Sequence, residues 1–169
     1  MSAVPKGKPP RAARPAQEWR RHNAGRILGD ALVRFEGRVL ALLARAGYTE
    51  TRLSHVNLTR HLDLEGTRIT ELARRARMTN AAMTELVDQC ERLGLVRREA
   101  DPADGRVRRV CFTEAGRQWL QVFGRALRQA ERELQREIGA EAAALLYGPL
   151  ATYAAEVQSL AAGNEPPAH

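Results

Sequence analysis

From Arg26 to Ala46 the apolar residues Ile27, Leu28, Ala31, Leu32, Phe35, Val39, Leu42 and Leu43 recur every three or four positions. Arg26, Asp30, Arg34, Arg38 and Arg45 fall largely outside that stripe, which is the period of a helix with one buried face. Gly47, just past the last turn, predicts its C-terminal stop. A second helix is expected from about Thr51 to Leu62, with Leu64-Glu65-Gly66 leading out of it. Two short helices follow. The first spans about Ile69 to Ala76, and the second opens at Thr79 and ends at Leu93-Gly94. Thr79 suits an N-cap, because its hydroxyl can accept from the free backbone N–H groups of the first turn. In this second helix Met83, Leu86, Val87, Cys90 and Leu93 line one face, and Asn80, Ala81, Thr84, Glu85 and Asp88 the opposite one.

After Gly94 the period changes. Val96 to Ala100 reads as a strand, Asp101-Pro102-Ala103-Asp104-Gly105 as a turn, and Arg106 to Phe112 as the returning strand. Asp-Gly between two extended runs is a hairpin signal, and Pro102 is tolerated at the tip. A long helix starts near Thr113, with Trp119, Phe123, Ala126, Leu127, Ala130, Leu134 and Ile138 stepping by threes and fours. A last helix is predicted from about Ala140 to Ala162. Its Leu146, Leu150, Tyr153, Val157 and Leu160 step as the seam of one helix on another. Gly148-Pro149 should kink it or delay its regular part.

Residues 1 to about 24 depart from this pattern. They hold four of the eight prolines and six Lys or Arg (Lys6, Lys8, Arg11, Arg14, Arg20, Arg21) against the single acid Glu18. Little there can bury enough surface to offset ordering entropy, so a disordered basic arm is expected over 1–24, and a short disordered tail over 163–169. The remaining 25–162 is expected to be one domain, long enough to bury a core without disulfides or metal.

Charge narrows the partner. Lys and Arg number 27 against 20 Asp and Glu, a net charge of +7 and a pI near 10.4. That balance favours a polyanion. Aromatic residues make up only 5%, too few for a protein that stacks single-stranded bases, so duplex is preferred. Two cysteines without a CxxC pair, no apolar run long enough for a membrane span, and no apolar core in the N-terminal segment predict a cytoplasmic location.

Two short helices at a tight turn, then an arginine-rich hairpin, form a winged helix-turn-helix. The major groove admits one helix, which must present groove-facing side chains near its N-terminus. Asn80 and Thr84, one turn apart, can do so: Asn can pair bidentately with adenine, and Thr can offer a hydroxyl to a base or a methyl to thymine. Ala81 and Ala82 let the backbone come close. Arg106, beside Gly105, can reach a narrow minor groove. Arg97, Arg98, Arg108 and Arg109, and the cluster Arg74-Arg75-Arg77, are placed to meet phosphates. Three-helix units with a hairpin also occur in RNA-binding and protein-docking modules, and helix-surface arginines are often plain solvated faces.

The stretch from Leu62 to Gly116 resembles the core of the MarR family of bacterial winged-helix regulators. The resemblance rests on Asp101, Pro102, Asp104 and Arg106 in the hairpin, closed by the "T-x-x-G" start of Thr113 and Gly116. It implies a mainly α fold with a small β-hairpin wing. The winged helix, about 50–113, would be flanked by dimerisation helices at about 26–46 and 113–162. It also implies a homodimer on pseudo-palindromic double-stranded DNA, with Arg106 as the minor-groove arginine and Asp104 the acid that orients it. Asn80, Ala81, Thr84 and Glu85 would meet base edges. Most such proteins repress, and many release DNA when a small, often aromatic or phenolic, acid binds. Glu85 departs from the pattern. An acid facing phosphate costs affinity unless an arginine such as Arg77 pairs with it, or it accepts from cytosine.

Other chemistry is sparse. His55 and Thr59, one turn apart, are candidate effector contacts, as is Trp119, although a helical His is more often structural and Trp119 suits the core. No metal spacing joins the four histidines, so no metal and no cofactor are expected. Cys90 belongs to a buried face, while Cys111, next to Arg109, is the thiol whose surroundings could favour thiolate. No nucleophile elbow, phosphate-cradling loop or metal motif is present, so the chain is not read as an enzyme. The alternatives are a nonspecific duplex-binding protein and a dimeric protein-interaction module.

Overall fold

The computed structural model describes residues 18–101 and 105–162. The expected arm up to residue 17, Pro102, Asp104 and the tail from 163 lie outside them. The chain divides into two compact units, one running to Gly37 and one from Arg38 onward.

The first unit holds α1 (Glu18–Arg21) and the opening of α2 (Ala24–Arg45). The one-turn α1 falls inside the stretch expected to be disordered. Asn23 explains the break between the two helices. Its Oδ1 accepts from the Arg26 N–H at 3.0 Å and its Nδ2 donates to the Trp19 carbonyl at 2.8 Å, so one side chain serves both helix ends. Ile27, Leu28, Leu32 and Val33 of this unit are exposed.

The second unit contains the rest: α3 (Leu53–His61), β1 (Thr67–Arg68), α4 (Ile69–Ala76), α5 (Asn80–Arg92), β2 (Val96–Ala100), β3 (Arg108–Phe112), α6 (Glu114–Ile138) and α7 (Ala140–Ala162). The three strands form an antiparallel sheet in the order β1-β3-β2, with Val96 opposite Phe112, Ala100 opposite Arg108 and Thr67 opposite Val110. The returning strand therefore starts two residues later than expected, and β1 adds a third strand. Leu43, Leu58, Leu72, Met83, Val87, Val110, Phe112 and Trp119 are fully buried. The helix is continuous through Gly148-Pro149, where a kink or delay was expected. Along the expected seam Leu146 and Tyr153 are exposed and Leu150 half-buried, and the side chains of Val157 and Leu160 lie outside the description.

The T-x-x-G start of α6 has a physical cause. The Thr113 Oγ1 accepts from the Gly116 N–H at 2.9 Å and donates to the Gly94 carbonyl, while the Thr113 N–H donates to the Leu95 carbonyl at 3.1 Å. That carbonyl lies so close to Gly116 that a Cβ there would sit 1.9 Å from its oxygen. The start of β2, the end of β3 and the head of α6 are thus joined at one point. Elsewhere Arg38 of α2 binds Glu133 of α6 through both guanidinium and carboxylate forks, one arm at 2.7 Å. Arg75 of α4 reaches Asp63 at 2.9 Å and Glu71 at 2.7 Å.

Two outcomes follow. Gly116→Ala forces backbone against backbone and should lower stability by about 2–3 kcal/mol, read from the urea unfolding midpoint. The arginines beside Glu71 and Glu133 hold both carboxyls down to about 2 against an ordinary 4.5. A depressed folded-state value gives stability that is present above about pH 4.5 and lost as pH falls toward 2. The double variant Glu71→Gln/Glu133→Gln should therefore show a shallower fall in melting temperature across that window than the native chain.

Candidate nucleic-acid interface

Helix α5 is buried on one side by Met83, Leu86, Val87 and Cys90. Its other side carries Asn80, Ala81, Thr84 and Glu85, all exposed. Thr79 caps it, its hydroxyl accepting from the Ala82 N–H at 3.2 Å. The approach to that cap is tight. Arg77 ends α4 in the left-handed region (φ 54°, ψ 41°), which lets its N–H and that of Met78 satisfy the last carbonyls of α4. A non-glycine residue there stores a modest strain. The Thr84 hydroxyl donates to the Asn80 carbonyl at 2.8 Å, so toward a ligand it offers lone pairs and a methyl, not a proton.

The wing has a fixed base. The Asp101 N–H donates to the Val107 carbonyl at 2.9 Å, closing the loop. The Asp101 carboxylate is buried and accepts from the Arg68 Nε at 2.7 Å, anchoring the wing to β1. Arg106 lies in the turn before β3 and is exposed, as is Arg108 at the head of that strand. Asp104, expected to orient Arg106, lies outside the described residues.

Several arginines expected to face phosphate are engaged within the chain. Arg109 donates through Nη2 to the carbonyls of Glu65 and Gly66, at 2.5 and 2.6 Å, clipping β3 to the loop before β1. Arg98 reaches back to α5, where it binds Asp88 at 2.6 Å and also Glu91. Arg97 pairs with Glu99 at 2.5 Å, and Arg74 with Glu71 at 2.8 Å. The partners lie two residues along the same strand (Glu99), one helical turn away (Glu71), on α5 (Asp88 and Glu91) or in the loop before β1 (Glu65 and Gly66), and the spacing of the arginines alone does not reveal them. The structure gathers Asn80, Ala81, Thr84 and Glu85 on one helix face and puts Arg106 and Arg108 on the wing. Arg109 belongs to the framework. Sequence reasoning missed the Arg68–Asp101 anchor; Asp101 was visible only as part of the hairpin signature, and Arg68 carried no signal of its own.

The three effector candidates do not share one environment. His55 is buried, and its Nδ1 accepts from the Arg52 N–H at 3.2 Å at the head of α3. Burial lowers its pKa, against a hydrogen bond with Gln89 of α5 that raises it, and the nearby Arg52 charge lowers it further. It borders a cleft of about 470 Å³ with Glu50, Arg52, Gln89, Arg92 and Leu93. Thr59 is buried, donating to the Val56 carbonyl at 3.0 Å. Trp119 is fully buried, donates to the Thr51 hydroxyl at 3.2 Å, and stacks on Phe123 with ring centres 5.2 Å apart. It is a core residue.

The expectation that Cys111 might favour thiolate is corrected. Burial and the neighbouring Glu99 raise its pKa, outweighing Arg109 and Arg97. Burial pushes the Cys90 thiol up to about 12. Among the described residues no cluster of His, Cys, Asp and Glu has the arrangement of a metal site, and no helix is long and apolar enough to cross a membrane.

Residues 51–107, which run from the loop before α3 through α5 and into the wing, match the MarR family model. A comparison with curated proteins gives no match. Solved structures share the fold. A probable transcriptional regulator from Pseudomonas aeruginosa is 28% identical, over 75% of this chain and 96% of that one, at a TM-score of 0.56. The repressor CouR of Rhodococcus jostii RHA1, bound to a 23-mer DNA duplex, is 23% identical over 82% of this chain and 96% of its own, at 0.65. A MarR family protein of Mycobacterium tuberculosis in complex with salicylic acid is 24% identical over 78% and 96%, at 0.60. These relatives are regulators, not enzymes. Residues 51–107 are thus similar to the winged helix of the MarR family of transcription regulators.

Proposed function

We propose that this protein is a sequence-specific regulator that binds a pseudo-palindromic double-stranded operator as a homodimer. The observation that carries the reading is the outward face of α5. Asn80, Ala81 and Thr84 lie exposed on a helix whose other side is fully packed, beside a wing that projects Arg106 and Arg108. A helix so held can enter the major groove while the wing reaches the adjoining minor groove and backbone. Arg77, at the turn between α4 and α5, is placed for the flanking phosphate.

The domain plan agrees with this use. The winged helix over about 50–113 reads the duplex, and helices at about 26–46 and 113–162 pair two copies. The exposed Ile27, Leu28 and Leu32 of the first unit support that pairing, and so, separately, do Leu145, Leu146 and Tyr153 of α7. Apolar side chains exposed side by side favour a cover. The basic arm over 1–24 adds sequence-independent grip on phosphate. Within the domain family CouR is a repressor, solved also with p-coumaroyl-CoA, and the Mycobacterium relative holds salicylic acid. Repression relieved by an aromatic acid is the matching mode here. The cleft beside His55, at the far end of α5 and flanked by Arg52 and Arg92, is the place for such an acid to shift the reading helix.

Selection from a random duplex pool near physiological salt should enrich a palindrome with half-sites about one helical turn apart. Arg106→Ala should weaken binding to that site about tenfold. Weak binding that falls steeply with salt and enriches nothing would instead leave a nonspecific duplex-binding protein. The native chain should sediment as a dimer, and Leu28→Asp/Leu32→Asp should sediment as a folded monomer. A native monomer at micromolar concentration would sink the dimeric reading.

A further inference from the structure

Helix α5 carries three acids, Glu85, Asp88 and Glu91, an awkward number for an element that would lie in a negatively charged groove. Two are neutralised by one arginine. Arg98 of β2 binds the Asp88 carboxylate at 2.6 Å and that of Glu91 through its other arm, and Glu91 also accepts the Arg98 backbone N–H at 2.9 Å. The same guanidinium reaches the Thr84 carbonyl at 3.4 Å. Glu85 is treated differently. It is exposed, and among the described residues it has no ion pair or hydrogen bond. It lies one turn after Ala81 and next to Thr84, on the outward side, where the alanine methyl leaves the space before it open.

We propose that Glu85 is a specificity-determining residue, its carboxylate accepting a hydrogen bond from the amino group of a cytosine in the major groove. The inference rests on the regulator reading given above. An ionised carboxylate only accepts. The major-groove donors are the cytosine N4 and adenine N6 amino groups, and adenine sets an acceptor, N7, beside its amino group that a carboxylate cannot satisfy. Guanine O6 and thymine O4 would face the carboxylate as like partial charges. Approach to phosphate without such a donor would cost affinity, with Arg98 already committed to Asp88 and Glu91. Cytosine therefore turns a repulsive group into a discriminating one.

The test compares duplex selection by the native protein, Glu85→Ala and Glu85→Gln. The native protein should enrich cytosine at one position of each half-site. Glu85→Ala should lose the preference there alone, and Glu85→Gln should move it to adenine, whose amino group and N7 suit an amide. On a fixed operator, replacing that C·G pair by T·A should weaken native binding about tenfold and leave Glu85→Ala binding unchanged. Identical preferences at every position in all three proteins would overturn the role of Glu85 while leaving the regulator reading intact. A native protein that enriches no site at all would overturn both.

Discussion

Helix α5 has to be held from one side only. Its outer side chains are exposed, so its position depends on what grips the other half. Here Met83, Leu86, Val87 and Cys90 supply the apolar grip, and all four are buried. Apolar contact is not directional, however, and on its own would let the helix turn about its axis. Arg98 removes that freedom: from the edge strand β2 it holds carboxylates on two successive turns of α5. The tie also covers a backbone N–H on the outer edge of β2, since Glu91 accepts it. One arginine therefore fixes the helix against the wing and quiets an open sheet edge.

The wing in turn depends on backbone geometry more than on side chains. Leu95 opens β2 at a point where its carbonyl accepts from Thr113, and Gly116 gives the room for that approach. Gly66 does the same at the other margin, where a Cβ would lie 2.4 Å from the Cys111 sulfur. Its φ of +92° also belongs to the left-handed side that glycine adopts without cost. Between these two close approaches β3 is fixed in register, with Arg109 clipping it to the Glu65 and Gly66 carbonyls. Arg106 and Arg108 then extend from a base held on both margins.

Much of this was legible in the sequence, and the reasons are specific. Helix α4 and strand β2 fall where the period puts them, and α5 and α6 start where capping does, because Thr79 and Thr113 each satisfy a free N–H of the first turn. Strand β1 was not legible, since Thr67-Arg68 is too short to show alternation and exists because Val110 and Arg109 lie opposite. The exposure of Ile27 and Leu32 was hidden as well: an apolar stripe announces that something covers it, not that the cover belongs to the same chain. The T-x-x-G motif could be seen, but its cause, the Leu95 carbonyl pressed on Gly116, needed the fold.

The arginines show the limit most clearly. A count gives +7 and suggests a polyanion, yet it cannot say which cations are available to one. Arg38, Arg68, Arg74, Arg75, Arg97 and Arg98 are bound to acids, and Arg109 to carbonyls. Periodicity places an arginine on a face but is silent about the partner across a strand or in a neighbouring loop. Exposed on or near α5 are Arg77 at the turn, Arg92 in its last helical turn, and Arg106 and Arg108 on the wing. A guanidinium held by a carboxylate is less available to neutralise a phosphate, so the net charge overstates what the winged helix offers a polyanion. The internal pairs do something else: they hold α5 and the wing in one orientation, so the exposed side chains on both keep a fixed arrangement.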